Sequence, residues 1–336
     1  MKLLFVGGTG LISSACSELA VEQGHELYLL NRAQSSNYSA PPGSTIVRAD
    51  VYAEREVLFD LLSSHTFDAV VDFIAFEPAD IERDIALFRG RTSQFVFISS
   101  ASAYQKPPTR YLITEQTPLE NPYWDYSRNK INCENMLFRA GRDGFPLTII
   151  RPSLTYGPSQ IPLAVSSWSH PWTVIDLMLR GRQVIVPGDG TSLWVLTWNG
   201  DFAHGLMGLL GNPHALGEAF HITAEEVLTW NQIYLDVYRA LGLEPNLIHI
   251  PSDLIARFDE HAMGSLIGDK SNSVVFDNSK IRRFVPDFKC KVDWAEGLRK
   301  ALAWFDADDS RKAIDHSMNS MWDSIIRAYE NAWVLG

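Results

Sequence analysis

The chain has 336 residues, a formal net charge of −11 and 46% hydrophobic residues. This length and apolar content suffice for one large domain or two ordinary ones. The acidic balance disfavours nucleic acid and anionic membranes as partners. No run of about 18 apolar residues predicts a membrane span, and the first residues already read as a strand, so we expect a cytoplasmic protein without a signal peptide.

The three cysteines, Cys16, Cys133 and Cys290, are far apart and form no C-x-x-C pair. An odd, scattered set of this kind indicates neither a disulfide framework nor a zinc site. We therefore expect buried thiols and no metal.

The first predicted unit is a strand, a glycine-rich turn, a helix and a second strand. The run "KLLFV" (2–6) predicts the first strand, and apolar residues from Ile12 to Ala20 recur at helical spacing. Gly24 then ends the helix, and "HELYLLNR" (25–32) predicts the second strand. A βαβ unit of about 30 residues around such a turn is typical of dinucleotide binding.

The turn "GGTGLIS" (7–13) carries two of the three glycines usual in a cofactor loop. Gly7 allows the tight turn and Gly10 allows close approach to a pyrophosphate, whereas Ser13 occupies the position where the third glycine only eases helix packing. We expect Ser13 to shift the helix slightly without removing the amides and dipole that hold the anion. An ordinary surface turn is the alternative; the strand and helix around the loop favour cofactor binding, with Thr9, Leu11 and Ile12 as further contacts.

Strands and helices continue to alternate along the chain. Four more apolar, β-branched runs, separated by helical stretches, are predicted at 44–50, 67–75, 93–100 and 145–153. Near-continuous apolar strands indicate burial on both faces. The fold class is therefore predicted as α/β, a doubly wound parallel sheet of the Rossmann type with a smaller C-terminal substrate lobe, and its ligands should bind beyond the carboxyl ends of the strands.

We place a dinucleotide-binding domain at 1–155 and a substrate-binding lobe at 156–336. Segments of the lobe such as "GEAFHIT" (217–223) are expected to return to the sheet. The last helical stretch, 317–333, either packs against a partner helix or caps the core, and a homodimer is the assembly we consider for the chain.

Tyr126 and Lys130 are four residues apart in a predicted helix that ends at Gly141. This spacing stacks the two side chains on one helix face, where the ammonium can lower the pKa of the phenol from about 10 toward neutrality. Such a tyrosine can move protons. The alternative is an amphipathic surface pair. Tyr123 is a weaker candidate because its i+4 partner is Ser127.

The ordered series of motifs resembles the extended, or an atypical, branch of the short-chain dehydrogenase/reductase superfamily, which contains sugar epimerases and dehydratases. The matching segments are "GGTGLIS", Asp50 after the third strand, "SSASAY" (99–104), "YSRNK" (126–130), "RPSLTYGP" (151–158), "PGDG" (187–190), "LTWNQI" (228–233) and "DNSKIRR" (277–283).

The resemblance implies a catalytic set of Ser100, Tyr126 and Lys130. Tyr126 would take a hydroxyl proton while hydride leaves for the nicotinamide, Ser100 would hydrogen-bond the same oxygen, and Lys130 would also hold the nicotinamide ribose. Serine at a strand end can instead be a simple cap. The resemblance further implies an adenine contact for Asp50, although an N-cap is the alternative. We also place Val51, Ala75 and Pro152 at the cofactor and Tyr104 at the substrate.

The end of the second strand departs from the usual NAD pattern. Asn31, followed by Arg32, stands where an acid usually accepts hydrogen bonds from the adenosine ribose. Without the carboxylate a 2′-phosphate is not repelled, and arginine can pair with one. NADP is therefore favoured over NAD, although Arg32 can also be an ordinary surface charge.

A second departure concerns the substrate. Related nucleotide-sugar enzymes carry a diphosphate-clamping arginine where this chain has Trp194, so the clamp comes from elsewhere or the substrate has no diphosphate. We expect a small sugar, sugar acid or glycoside packed against aromatic rings, with little contribution from charge. Trp168, His170 and Trp172 fall in the same substrate region. A core tryptophan and a structural histidine are the alternatives for Trp194 and His170.

Ala101 and Ser102 follow Ser100 where the family's dehydratases have an Asp-Glu pair. Epimerisation or plain oxidoreduction of a sugar or polyol is thus favoured over dehydration. The alternatives are a nucleotide-sugar epimerase and a non-catalytic cofactor-binding regulator or RNA-associated protein. The complete Ser100, Tyr126 and Lys130 set favours an enzyme.

Overall fold

A computed structural model describes residues 1–32, 37–52 and 55–333. Its strands are β1 (Lys2–Val6), β2 (Glu26–Asn31), β3 (Thr45–Arg48), β4 (Ala69–Asp72), β5 (Phe95–Ile98), β6 (Leu112–Ile113), β7 (Leu147–Pro152), β8 (Leu154–Tyr156), β9 (Val184–Pro187), β10 (Leu193–Trp194), β11 (Leu196–Trp198), β12 (Ala219–Ile222), β13 (Leu228–Thr229), β14 (Leu247–Ile250) and β15 (Val275–Phe276). Its α-helices are α1 (Ser13–Glu22), α2 (Arg55–Leu62), α3 (Pro78–Phe88), α4 (Asp125–Arg142), α5 (Trp172–Leu179), α6 (Asn199–Leu209), α7 (Trp230–Leu241), α8 (Ser252–Ile255), α9 (Glu260–Ala262), α10 (Ser279–Phe284), α11 (Trp294–Asp306) and α12 (His316–Trp333). Single turns of 3₁₀-helix lie at Ala101–Ala103, Pro213–Ala215 and Asp309–Arg311, and Met263–Lys270 is π-helical.

The central sheet of the described ranges has seven strands in the order β12-β7-β5-β4-β1-β2-β3. Every neighbouring pair in it is parallel. All residues of β4, β5 and β7 are buried, as strands covered on both faces must be. The predicted doubly wound parallel sheet is confirmed.

Helices cover both faces of this sheet. On one face, Cys16 of α1 and Phe202 of α6 belong to one apolar core. On the other, Ile81 of α3 and Leu137 of α4 belong to a second core. The apolar positions that repeat along these helices thus face the sheet, and their polar faces remain outside.

The chain beyond residue 156 supplies the edge strand β12, which pairs with β7 in the register Ala219↔Ile149. Helix α6 of this region packs on the sheet, and many of its other elements surround a third core rich in tryptophan. Trp322 of α12 is only 1% exposed and belongs to this core. Helix α12 therefore caps the core, the second of the two roles considered for it.

Cys16 and Cys133 are buried free thiols, whereas Cys290 is half-buried and so departs from the expected full burial. Among the described residues, no three His, Cys, Asp or Glu side chains are grouped as metal ligands would be. No helix of the described ranges has the length and apolarity needed to cross a membrane.

Candidate active site

The strand order of the sheet reverses between β1 and β4, and the loops that follow these strands touch each other. Gly7, directly after β1, has φ 105°, and a Cβ added to it would lie 3.1 Å from Ile74 Cγ2 in the loop after β4. Only glycine adopts this backbone and leaves this space without strain. The crevice at this point is where open α/β sheets bind their ligands.

Helix α1 begins directly behind the glycine turn. Its N-cap residue is Ile12, whose side chain makes no capping hydrogen bond. The helix start thus has no side-chain cap, although the Ser14 N–H donates to Gly10 O at 2.9 Å, and an uncapped helix N-terminus suits an anion. Ser13 does more than expected, because its Oγ accepts a hydrogen bond from the Gly10 N–H at 2.9 Å. The expectation that Ser13 leaves all loop amides free for the anion is therefore wrong at Gly10, whose N–H already donates to Ser13 Oγ.

A cavity of about 450 Å³, here called the cofactor cavity, lies over this turn. Seven of the predicted cofactor residues line it: Gly7, Thr9, Gly10, Asn31, Arg32, Asp50 and Val51. Ala49, Tyr52, Ile74 and Phe76 complete the wall. Leu11 and Ile12 lie outside this lining, at the start of α1, and Ala75 is fully buried between Ile74 and Phe76.

Asn31 is fixed by the glycine turn. Its Nδ2 donates a hydrogen bond to the Gly7 backbone O at 3.1 Å, which an ionised carboxylate has no proton to do. Arg32, next to it, is exposed. Asp50 Oδ1 accepts from the Tyr52 N–H at 3.0 Å, so this carboxylate also stabilises the loop after β3.

Ser100 lies two residues after β5 and is the N-cap of the 3₁₀ turn Ala101–Ala103. Its Oγ accepts from the Ser102 N–H at 3.2 Å and lies 2.9 Å from Ser102 Oγ. The buried Ser127, on α4, donates to Ser102 Oγ at 2.7 Å. This chain of hydroxyls fixes the position of Ser100 relative to the helix that carries Tyr126.

Lys130 is buried beneath the tyrosine. Its Nζ donates to the backbone O of Ala75 at 2.7 Å and of Ile98 at 2.8 Å, and lies 4.6 Å from the Phe76 ring centroid. Burial lowers the pKa of Lys130 to about 8, against the opposing effect of Asp72.

Tyr126 is half-buried, with its ring centroid 5.0 Å from that of Trp124. Burial raises the pKa of Tyr126, a hydrogen bond with Ser100 lowers it, and Asp269 raises it further. The expected lowering by Lys130 is not found, since that ammonium is bonded to two carbonyl groups and lies 5.8 Å from the Tyr126 ring centroid. The phenol is therefore protonated at neutral pH.

A second cavity of about 530 Å³, here called the substrate cavity, adjoins the first at Phe76. Ser100, Tyr126, Pro152, Trp168 and Trp194 line it, so Pro152 lies here and not in the cofactor cavity. Trp168 lies at the rim of the substrate cavity and is 65% exposed.

Trp194 combines both roles considered for it. It is 2% exposed and its ring stacks on Trp230 with centroids 5.5 Å apart, as a core residue does, yet it also lines the substrate cavity. Any ligand contact is therefore limited to the small part of the ring that faces the cavity.

Tyr104 and His170 are absent from the wall of the substrate cavity. Tyr104 is buried, and its hydroxyl accepts from Arg151 Nη1 at 3.2 Å and lies 3.2 Å from His221 Nδ1. His170 O instead accepts from Thr173 Oγ1 at 2.7 Å near the start of α5. In this structure both residues support neighbouring segments and do not face the candidate site.

Comparison with known proteins agrees with this geometry. Residues 3–223 match the model of the NAD dependent epimerase/dehydratase family. The chain belongs to this family. It is 25% identical over 260 residues to the chloroplast stem-loop binding protein of 41 kDa b of Arabidopsis thaliana, a match that covers 74% of this chain and 65% of that protein. It is 29% identical over 253 residues to YtcB of Bacillus subtilis, described as an uncharacterized UDP-glucose epimerase, covering 67% and 78% respectively.

The fold of this family member is similar to that of the UDP-glucuronic acid 4-epimerase from Bacillus cereus, solved with UDP-glucuronic acid and NAD. The TM-score is 0.72 at 18% identity, over 91% of this chain and 99% of that one.

Several residues of the substrate cavity carry no family motif and were missed in the sequence. They are Lys106, Trp124, His261, Asp269 and Lys270. Lys106 Nζ and Asp269 Oδ1 form a buried ion pair at 2.8 Å. The π-helical segment that carries Asp269 is held against α4 at Gly264, where an added Cβ would lie 2.2 Å from the Trp124 ring. No local sequence pattern predicts contacts of this kind between segments that are far apart in the chain.

Proposed function

We propose that this chain is an NAD(P)-dependent epimerase or oxidoreductase that acts on a hydroxyl-bearing carbon of a sugar or related polyol. The observation that carries the proposal is the joint placement of Ser100 and Tyr126 on one cavity wall, next to Phe76, which also lines the cofactor cavity. A reacting carbon held against Ser100 and Tyr126 would thus lie beside a cofactor bound in the neighbouring cavity.

The residues that line the cofactor cavity are of the types that bind a dinucleotide. Gly7 and the uncapped start of α1 suit a pyrophosphate, and Asp50 and Arg32 suit the adenosine end. A bound nicotinamide cofactor supplies the hydride acceptor and donor. The amide of Asn31 beside the exposed Arg32 supports NADP as the preferred form, while the Bacillus cereus relative was solved with NAD.

Tyr126 is suited to hold and move a proton at its Oη. In its neutral form it can donate that proton to a substrate carbonyl oxygen, and the resulting phenolate can take a proton from a hydroxyl in the reverse direction. Ser100 lies on the same cavity wall and lowers the pKa of the phenol, and Lys130 Nζ donates to the backbone O of Ala75, next to Phe76, and of Ile98. Proton transfer by a positioned group of this kind contributes about 100- to 10,000-fold to a rate.

The proposal that the substrate is a small sugar without a diphosphate depends on Trp194, which stands where related nucleotide-sugar enzymes have a diphosphate-clamping arginine. A nucleotide sugar is the second candidate, favoured by the names of YtcB and the Bacillus cereus enzyme and by Lys106 and Lys270 in the cavity wall. A role in RNA binding is suggested by the name of the chloroplast relative, but the net charge of −11 and the complete Ser100, Tyr126 and Lys130 set support an enzyme.

The test is a ligand screen on the purified chain with NAD and NADP. Two sets are compared, namely free sugars, sugar acids and polyols against UDP-, GDP- and dTDP-sugars, with a stem-loop RNA as a third arm. Cofactor absorbance, product analysis by NMR and thermal shift are recorded, since a ligand that binds the native state raises its stability. Conversion of any sugar by the wild type and not by Tyr126→Phe supports the proposal. A response to RNA alone, with no conversion in either sugar set, refutes it.

A further inference from the structure

A third cavity of about 420 Å³, here called the distal cavity, adjoins the substrate cavity. The two share four wall residues, Leu154, Trp168, His261 and Lys270. Ser100 and Tyr126 line only the substrate cavity. A molecule with its reacting carbon at Tyr126 therefore passes Lys270 if it extends toward the distal cavity.

Lys270 is a half-buried cation without a carboxylate partner. Among the described residues it forms no ion pair, and its Nζ donates one long hydrogen bond, 3.4 Å, to the backbone O of Ser265 in the distal cavity wall. Burial and the neighbouring charge of Lys106 lower the pKa of Lys270, whereas Asp269 raises it. An unpaired charge in such a position is unfavourable unless something neutralises it.

The carboxylates around Lys270 are already bonded to other groups. Asp269 forms the ion pair with Lys106 at 2.8 Å. In the distal cavity, Asp315 accepts hydrogen bonds from Ser167 Oγ at 2.9 Å and Ser317 Oγ at 2.6 Å, and Asp259 accepts from the His261 N–H at 3.0 Å. These hydrogen bonds leave the negative charges of Asp259 and Asp315 in place, but neither carboxylate pairs with Lys270, which is the one lysine or arginine in the distal cavity wall within the part of the chain that the structure describes.

We infer that Lys270 binds an anionic group of the substrate, a phosphate ester or a carboxylate, at the junction of the substrate and distal cavities. This inference rests on the proposed function, because it assumes that the reacting end lies at Ser100 and Tyr126. It replaces the sequence-based expectation that charge contributes little to substrate binding. Lys270 takes the role of a specificity determinant that separates charged sugars from neutral ones.

The distal cavity offers a further hydrogen-bond donor besides Lys270. The amide nitrogen of Gln160 is buried without a hydrogen-bond partner among the described residues, and Gln160 lines that cavity. A buried donor of this kind costs free energy until a ligand oxygen accepts from it. The anionic group would thus sit between the reacting sugar and a polar extension.

The experiment measures equilibrium binding by calorimetry at saturating cofactor, without turnover, in the Tyr126→Phe background. The probes are glucose, glucuronate, glucose 1-phosphate and UDP-glucose, so that a carboxylate, a phosphate monoester and a diphosphate are each compared with a neutral sugar. The variants added are Lys270→Met, Lys270→Gln, Lys270→Arg and the control Lys289→Met, which removes an exposed lysine outside all three cavities. Lys106 is unsuitable because its removal leaves the half-buried Asp269 without its ion-pair partner.

At least one anionic probe should bind about tenfold more tightly than glucose, a ratio that corresponds to about 1.4 kcal/mol. Lys270→Met and Lys270→Gln should lose this ratio, and Lys270→Arg and Lys289→Met should keep it. The ratio should also fall as NaCl is raised, which can be measured without a Lys270 variant if those fail to fold. The inference is overturned if the neutral and anionic probes bind equally or if no anionic probe binds. It is also overturned if Lys270→Met and Lys270→Gln keep the affinity ratio of the wild type.

The two proposals fail separately. Intact selection for anionic probes, with no conversion of any sugar by the wild-type chain, would contradict the proposed function and leave Lys270 as an anion site. Conversion of sugars without anion selection would contradict only the role of Lys270.

Discussion

Arg151 at the end of β7 and Glu134 of α4 form a buried, bidentate ion pair. Nη2 to Oε2 is 2.6 Å and Nε to Oε1 is 3.0 Å, and the same Oε1 accepts from Ser99 Oγ at 2.6 Å. Arg151 Nη1 also donates to the Tyr104 hydroxyl. The pair thus joins three segments, β5 next to Ser100, β7 and the helix of Tyr126, beneath the candidate site.

Removing one partner of this pair should destabilise the fold strongly. Arg151→Met leaves Glu134 as an uncompensated buried charge, which typically costs about 3–5 kcal/mol of unfolding free energy. Urea unfolding followed by circular dichroism measures the loss. The double variant Arg151→Met/Glu134→Met should be more stable than Arg151→Met alone, because no buried charge remains; a double variant that is less stable would argue against this account.

Tyr126→Phe should lower turnover by about 100-fold or more while cofactor affinity changes little, since only the proton-transferring hydroxyl is removed. Steady-state kinetics with a sugar found in the ligand screen and calorimetry with the cofactor give the two quantities. Tyr123→Phe is the matched control, because Tyr123 lies three residues away on the exposed approach to α4 and does not line the substrate cavity. Equal turnover of the two variants would remove Tyr126 from the mechanism.

Cofactor choice should depend on Asn31 and Arg32. We expect the wild-type chain to bind NADP more tightly than NAD, and Asn31→Asp to lower the NADP-to-NAD affinity ratio by at least about tenfold, since a like-charge contact with a 2′-phosphate costs more than the ~1.4 kcal/mol that a tenfold change requires. The ratio is the quantity to compare, because the lost hydrogen bond from Asn31 to Gly7 O weakens both cofactors.

Asn331→Asp adds the same charge at an exposed position of α12 and should leave that ratio unchanged. A wild-type chain that prefers NAD would refute the predicted cofactor preference.

The buried Lys130 should make stability depend on pH. Its pKa is lowered from the usual 10.5 to about 8 in the folded chain, so between these values the unfolded chain binds more protons and the free energy of unfolding rises with pH. Lys130→Met lacks this group. The Tm of the wild type minus that of Lys130→Met should therefore increase from pH 7 to pH 10. The Tm difference between the wild type and Lys289→Met should not change with pH. If the Tm difference for Lys130→Met does not change with pH either, burial does not lower the pKa of Lys130.

Local sequence patterns predicted the elements that position the site. Strand β1, helix α1 and helix α4 follow from apolar periodicity and from glycines at defined places, which are properties of short segments. Gly8 was not singled out, yet its φ is 80° and an added Cβ would lie 2.6 Å from Leu29 Cδ2 on β2, a contact that only the folded sheet creates.

The side-chain directions could not be predicted in the same way. The i, i+4 spacing correctly put Tyr126 and Lys130 on one helix, but the carbonyls of Ala75 and Ile98, from two other segments, determine where the ammonium points. Tyr104 follows Ser100 by four residues, and the intervening 3₁₀ turn directs it into the interior. Lys270 comes from a π-helical segment far along the chain, whose position depends on packing against Trp124.

Phe76 belongs to the walls of both the cofactor cavity and the substrate cavity, and its ring centroid lies 6.3 Å from that of Tyr126. A shared wall links the two binding equilibria, because a molecule that shifts this ring on one side alters the surface offered on the other. By thermodynamic reciprocity, the factor by which cofactor changes the affinity for substrate must equal the factor by which substrate changes the affinity for cofactor. The same factor should therefore be measured whether cofactor is titrated in the presence of substrate or substrate in the presence of cofactor.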